Sequence, residues 1–249
     1  MRLRQIALAA RDLAPTVTAL TEVLGIEVSF NDPGVGVFGL ENAVMPMGDT
    51  FLEVVSPVRD DASALRWIEK RGGDSGYMVI LQCADFAAFE AEVARAKRAD
   101  VPAVWEGDFE GARAVHFHPR KLGAILSLDA MPTWDEWRWA GPNWEGHVRT
   151  ERTGSIVGAE LESPDPARLA GEWARAVGID PASDEDGRPV ISLPEGGRLV
   201  FVKGTGEGLA GLEVQVPDRD GFEKAARDHG VLGADGAATI SGTRFIPAE

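Results

Sequence analysis

The chain has 249 residues, 44% hydrophobic and 26% charged, a length for one large or two small domains and a composition unlike a disordered or membrane-embedded chain. Its 40 acidic residues against 25 scattered basic ones give a net charge of −15, which argues against nucleic acid and anionic membrane surfaces as partners. Cys83 is the single cysteine, which leaves no disulfide framework. No window approaches the ~18 apolar residues of a membrane span, and Met1–Gln5 does not open a signal peptide, so the expected location is the cytoplasm.

Read in chain order, the sequence repeats one pattern. Residues 5–26 read as a strand, an Asp at position 12 and a helix with an apolar stripe at Val17, Leu20 and Leu24. Strands follow at Glu27–Phe30, Val35–Met45 and Thr50–Pro57, with turn residues at 31–34 and 47–49. A second unit opens before Asp85, carries the stripe Phe86, Phe89, Val93, and continues with strands near 103–106, 112–117 and 123–129. A third opens at Gly158, with Asp165, the stripe Leu169, Trp173, Ala176, and strands at 189–193 and 198–203. A fourth has Asp218 and Phe222, then strands at 237–241 and 243–247.

Constant shifts link these units without gaps. A shift of 153 maps Leu8 to Leu161, Asp12 to Asp165 and Gly25 to Gly178; a shift of 133 maps Gln82 to Gln215, Asp85 to Asp218 and Phe89 to Phe222. Each Asp is placed to cap a helix, and Gly25 and Gly178 to end one. The predicted plan is an α+β chain of four βαβββ modules that pair into two domains, 1–130 and 154–249, with residues 131–153 as a Trp- and Pro-rich connector.

This pattern resembles the glyoxalase/bleomycin-resistance/extradiol-dioxygenase group, the vicinal oxygen chelate superfamily. The resemblance rests on the repeat and on three stretches: Gln5–Ala9 with Asp12-Leu13, Thr50–Val55, and His118-Pro119-Arg120-Lys121-Leu122-Gly123-Ala124. It implies a metal site built from the first and fourth strands of two paired modules. Carried onto this chain, those positions are Gln5, Glu53, Met78 and Leu128. Of these, only Glu53 is a good ligand for a borderline or hard divalent ion; Met78 is a soft thioether and Leu128 is no ligand. No cofactor is therefore expected, and a divalent metal is disfavoured; if one is present, Glu53 with His116 or His118 would hold it. In the second half the positions of Gln5 and Met78 are Gly158 and Gly211, which makes that half a scaffold or lid.

The candidate catalytic residues are Glu53, Gln5, His116 and His118. Glu53 shares a strand face with Phe51 and Val55, where a carboxylate is costly unless paired, protonated or liganded. Gln5 could orient a carbonyl or hydrogen-bond Glu53. His116 and His118 flank Phe117 and would face one side of a strand, as a metal pair or proton shuttle. The candidate substrate-binding residues are Met78, Leu128, Trp137 and Trp139, the last two from a connector that holds four of the seven tryptophans. That connector reads either as a plug or as a wall for a planar ligand.

Three functions stay open. The first is a small-molecule lyase or isomerase acting alpha to a carbonyl without the usual four-ligand metal site. The second is a non-catalytic binding protein of the bleomycin-sequestering kind, and the third a metalloenzyme with a shifted Glu/His site. In each the partner is a small molecule, aromatic or carbonyl-containing, and the protein a monomer or homodimer.

Overall fold

The computed structural model describes residues 1–248; Glu249, the last residue of the expected second domain, lies outside them. The first module contains β1 (Arg2–Ala9), α1 (Leu13–Leu24), β2 (Leu40–Met47) and β3 (Thr50–Pro57). Helix α2 (Ser63–Arg71) leads to the second: β4 (Ser75–Gln82), α3 (Phe86–Arg98), β5 (Ala103–Phe109), β6 (Ala112–Phe117) and β7 (Ile125–Ala130). The third holds β8 (Ile156–Ser163), α4 (Pro166–Val177), β9 (Ala182–Ser183), β10 (Pro189–Ser192) and β11 (Arg198–Lys203). The fourth holds β12 (Gly208–Gln215), α5 (Arg219–Asp228), β13 (Ala238–Ile240) and β14 (Thr243–Ala248).

The strands form two seven-stranded sheets, in the orders β2-β3-β1-β4-β7-β6-β5 and β13-β14-β12-β8-β11-β10-β9. Each sheet combines two modules, and in every module the first strand runs parallel to the last. The fold class is the one the repeat predicts.

Local chemistry explains most element ends. Asp85, Asp165 and Asp218 accept backbone N–H groups of Ala88, Arg168 and Gly221 at the starts of α3, α4 and α5. Asp12 holds the same position before α1, but its side chain makes no capping bond. Gly25 and Gly178 close α1 and α4 at φ 71°, a left-handed conformation that glycine adopts without penalty.

Two expectations change. The predicted strand Glu27–Phe30 is reduced to an isolated bridge between Phe30 and Val44, and just beyond it the Asn31 side chain takes the Asn42 carbonyl. The predicted strand Val35–Met45 begins only at Leu40. Residues Pro33–Phe38 instead form a 3₁₀ turn, started by Pro33 and the Asp32–Gly34 cap and ended by Gly39 at φ 72°. Helix α2 has no counterpart in the repeat, which is why the pattern assigns it nothing.

The chain divides into two compact units. One comprises residues 1–4, 78–138 and 158–209; the other comprises 5–77, 139–157 and 210–248. In the first, α3 packs on α4, and the fully buried Trp173 donates its indole N–H to the Leu122 carbonyl at 2.8 Å. In the second, α1 packs on α5, and Thr16 and Ser241 share a hydroxyl–hydroxyl bond of 2.9 Å. Each unit has its own apolar core, including Phe89, Phe117 and Phe201 in the first and Phe51, Phe222 and Phe245 in the second.

Candidate active site around Glu53

Strand register decides which side chains share a face. On β1, β3 and β2, Ala7 lies opposite Glu53, Gln5 opposite Phe51, and Val44 opposite Glu53, with Asn42 opposite Val55. Directly opposed residues point the same way, so Gln5, Asn42, Phe51 and Glu53 share one face. All four belong to the second unit.

Glu53 is buried, and each of its oxygens accepts one amide N–H. Gln5 Nε2 donates to Oε2 at 2.8 Å, and Asn42 Nδ2 donates to Oε1 at 2.6 Å. Burial pushes the carboxyl pKa above its ordinary value; the Asn42 and Gln5 bonds pull it down, and the Asp32 charge adds a further push upward. Tyr77, the single tyrosine, is also buried, and desolvation raises its pKa; its hydroxyl pairs with Ser63 at 3.1 Å. Trp144 stands edge-on to Phe51, ring centroids 4.9 Å apart, and forms an aromatic wall on the strand that carries Glu53.

Asn42 is the residue that sequence reasoning missed. It lies within a stretch the pattern assigned to a strand, and only the β2–β3 register shows which face it takes. Its Oδ1 accepts the Asp32 backbone N–H at 2.7 Å.

The other expected site residues fall elsewhere. His116, in the first unit, packs against Trp105 at a tilt of 39° with ring centroids 4.5 Å apart, and burial lowers its pKa to about 4. The His118 ring accepts the Arg120 N–H through Nδ1 at 3.1 Å, so it serves the turn that precedes β7. Met78 is buried on β4, opposite Ile125. Leu128 is fully buried opposite Leu81 and Val115. The register equivalent of Glu53 in module 2 is Ser127: it opposes Ile80 as Glu53 opposes Ala7. Ser127 and Leu128 are adjacent and therefore face opposite sides of the strand.

The connector divides between the units. Trp137 is 1% exposed, with the Arg4 guanidinium 5.6 Å from its ring, and Arg2 stacks over Trp134 at 4.0 Å. Arg2 donates to Gln82 Oε1 and to the Trp134 carbonyl, and Arg4 to the Asp135 carbonyl, which fastens this stretch within the first unit. Trp139 is half-buried in the second unit, on a 3₁₀ turn at Arg138–Ala140.

Each oxygen of Glu53 accepts one amide N–H and keeps a second lone pair. Among the described residues no group of three or more His, Cys, Asp or Glu could hold a metal.

The second half is less empty than its glycines suggest. Glu160 and Glu213 are buried, each two residues after the glycine at the Gln5 or Met78 position. In the first unit, Arg188 lies 3.7 Å from Glu160 and also pairs with Asp184 and Asp186. Val200 and Ile246 occupy the positions of Glu53 itself.

The model of a glyoxalase-like domain matches residues 6–177, more than half of the chain. The chain belongs to the glyoxalase-like domain family. Among solved structures, a mutant of 4-hydroxymandelate synthase from Streptomyces coelicolor is similar over 93% of this chain and 75% of its own, at 17% identity and a TM-score of 0.69. A hypothetical protein from Staphylococcus aureus is similar over 99% of both chains, at 11% identity and a TM-score of 0.67. A methylmalonyl-CoA epimerase variant from Streptomyces coelicolor matches 53% of this chain and 99% of its own, at 22% identity and a TM-score of 0.47. No curated protein matches the sequence. At these identities the full-length likenesses show a shared fold. No helix is long and apolar enough to cross a membrane.

Proposed function

We propose that this glyoxalase-like protein abstracts a proton alpha to a carbonyl of a small molecule, with Glu53 as the base and the site within residues 1–130. One observation carries the reading: a buried carboxylate, more basic than usual, is held in place by two side-chain amides on an otherwise apolar strand face. In the step, the substrate C–H bond breaks, its proton goes to a Glu53 oxygen, and the electron pair moves to the carbonyl oxygen as an enolate. The carboxylate loses its charge as the enolate gains one. The amides of Gln5 and Asn42 are then released from a charged acceptor and can turn toward the new one. Return of the proton gives isomerisation; loss of a beta leaving group gives a lyase.

The Phe51–Trp144 pair favours a ligand with an apolar or aromatic part. The test is exchange of alpha protons in deuterated water across a panel of ketones, thioesters and aromatic keto acids, followed by NMR. Washout with the wild type, lost in Glu53→Gln, supports the reading. Binding without washout in either protein would make this a binding protein of the sequestering kind, and retained washout in Glu53→Gln would remove Glu53 from the chemistry.

A further inference from the structure

We propose that Asn42 is a positioning residue that ties the surface flap of residues 31–39 to Glu53, so that one amide both orients the base and anchors the flap. This takes Glu53 as the proton acceptor of the reading above, although the decisive part of its test needs no turnover.

The flap is built to depend on such an anchor. Its 3₁₀ turn, Pro33–Phe38, contains no buried residue, and Val37 at its tip is 74% exposed. A segment with so little burial is held by its hydrogen bonds. At its far end Val58 N–H donates to the Gly39 carbonyl at 2.8 Å. At its near end both residues that enter the turn go to Asn42. Asp32 donates its backbone N–H to Asn42 Oδ1 at 2.7 Å, and Asn31 Nδ2 donates to the Asn42 carbonyl at 2.5 Å. Asp32 spends its own carboxylate on the Gly34 N–H at 2.7 Å, which sets the turn.

The chemistry of the groups fixes the direction of this relay. An ionised carboxylate only accepts hydrogen bonds, so Asn42 must present Nδ2 to Glu53. Its Oδ1 then points to the Asp32 N–H, which needs an acceptor. The carboxylate at position 53 thereby sets which end of the amide faces the flap. A ligand that engages Glu53 competes for the amide that holds the flap base, so arrival at the base and loosening of the flap are one event. The exposed valine tip is the part free to settle on the apolar portion of that ligand.

Backbone amide hydrogen exchange at one fixed pH, read residue by residue by NMR, tests this in wild type, Asn42→Leu and Glu53→Gln. Asn42→Leu removes the acceptor, and the Asp32 and Gly34 amides should exchange about tenfold faster, the loss of roughly one hydrogen bond. Glu53→Gln leaves Asn42 in place but offers it an N–H as well as a carbonyl. The Asn42 amide can then turn, and the same two amides should exchange several-fold faster, roughly the partial loss of that bond. Amides of the β1–β3 ladder should keep their protection in both variants, which shows that the fold holds. With a substrate from the washout panel, Asn42→Leu should lower kcat while leaving KM within about twofold, since the base is mispositioned and the ligand contacts remain. Wild-type protection of Asp32 and Gly34 in Glu53→Gln overturns the relay, and so does unchanged kcat in Asn42→Leu. If Asn42→Leu does not fold, the near-isosteric Glu53→Gln decides alone. If no compound on the panel loses a deuteron-exchangeable proton, the catalytic reading fails, and the two exchange rates still decide the coupling.

Discussion

Modules 1 and 2 carry the same strand frame with different chemistry hung on it. Gln5, Asn42 and Glu53 of module 1 occupy the register positions of Met78, Ala114 and Ser127 of module 2. In module 1 the result is a buried carboxylate satisfied by two amides. In module 2 Ser127 donates instead to Asp129 Oδ1 at 2.5 Å, and the carboxylate has moved two residues along the strand. His116 stands where module 1 has Val44, and Trp105 covers it. A shared backbone therefore says little about chemistry. What separates the modules is which positions have polar side chains and whether neighbours supply their hydrogen bonds.

The comparison breaks first at the base. Glu53→Gln should lower alpha-proton washout by roughly 10²- to 10⁴-fold, the range that general bases supply, whereas Ser127→Ala should change it by less than about threefold. Equal losses in steady-state assays of both would mean that the two modules share the work.

The connector offers the next contrast. Trp137 is wholly buried, so Trp137→Ala should cost about 3–5 kcal/mol in chemical unfolding. Trp144 is half-buried against Phe51, and Trp144→Ala should cost less in stability and show its main effect on ligand affinity. A reversal of the two would move the aromatic wall to Trp137.

The third contrast is acid stability. His116 in the fold holds its proton only below about pH 4, whereas an unfolded histidine takes one up near 6.5. As pH falls through this window the unfolded chain gains the proton first, so stability is lost on acidification. Wild type should lose on the order of 2 kcal/mol more than His116→Phe between pH 7 and pH 4. Glu53 acts with the opposite sign. Its raised pKa favours the fold at low pH and costs stability as pH rises through that value, so wild type should fall relative to Glu53→Gln on that rise. Thermal melts of the three proteins across pH separate the two trends.

The smallest expected difference lies at the helix starts. Asp85→Ala should cost about 1 kcal/mol because a capping bond is lost, and Asp12→Ala a few tenths at most.

The module frame was legible in the sequence because the shifts of 153 and 133 carry Asp, Gly and apolar positions together. The face of Glu53 was legible too, since its strand alternates cleanly around it. The fourth-strand position of module 2 was not: counting from His118 lands on Leu128, and a slip of one residue reverses the face of a strand, so the backbone register names Ser127. Asn42 was hidden because its partner lies across a β-ladder whose register no local signal fixes. Glu160 and Glu213 were hidden because attention to Gly158 and Gly211 stops two residues short of them.

The central claim is that Glu53 takes a proton from carbon, and the rate of alpha-proton washout against pH tests it most directly. The wild-type rate should rise with pH through a midpoint above 4.5, the ordinary value for this carboxyl, and Glu53→Gln should show neither the rise nor the rate. A wild-type profile that is flat across that range, or one that Glu53→Gln reproduces, would contradict the account.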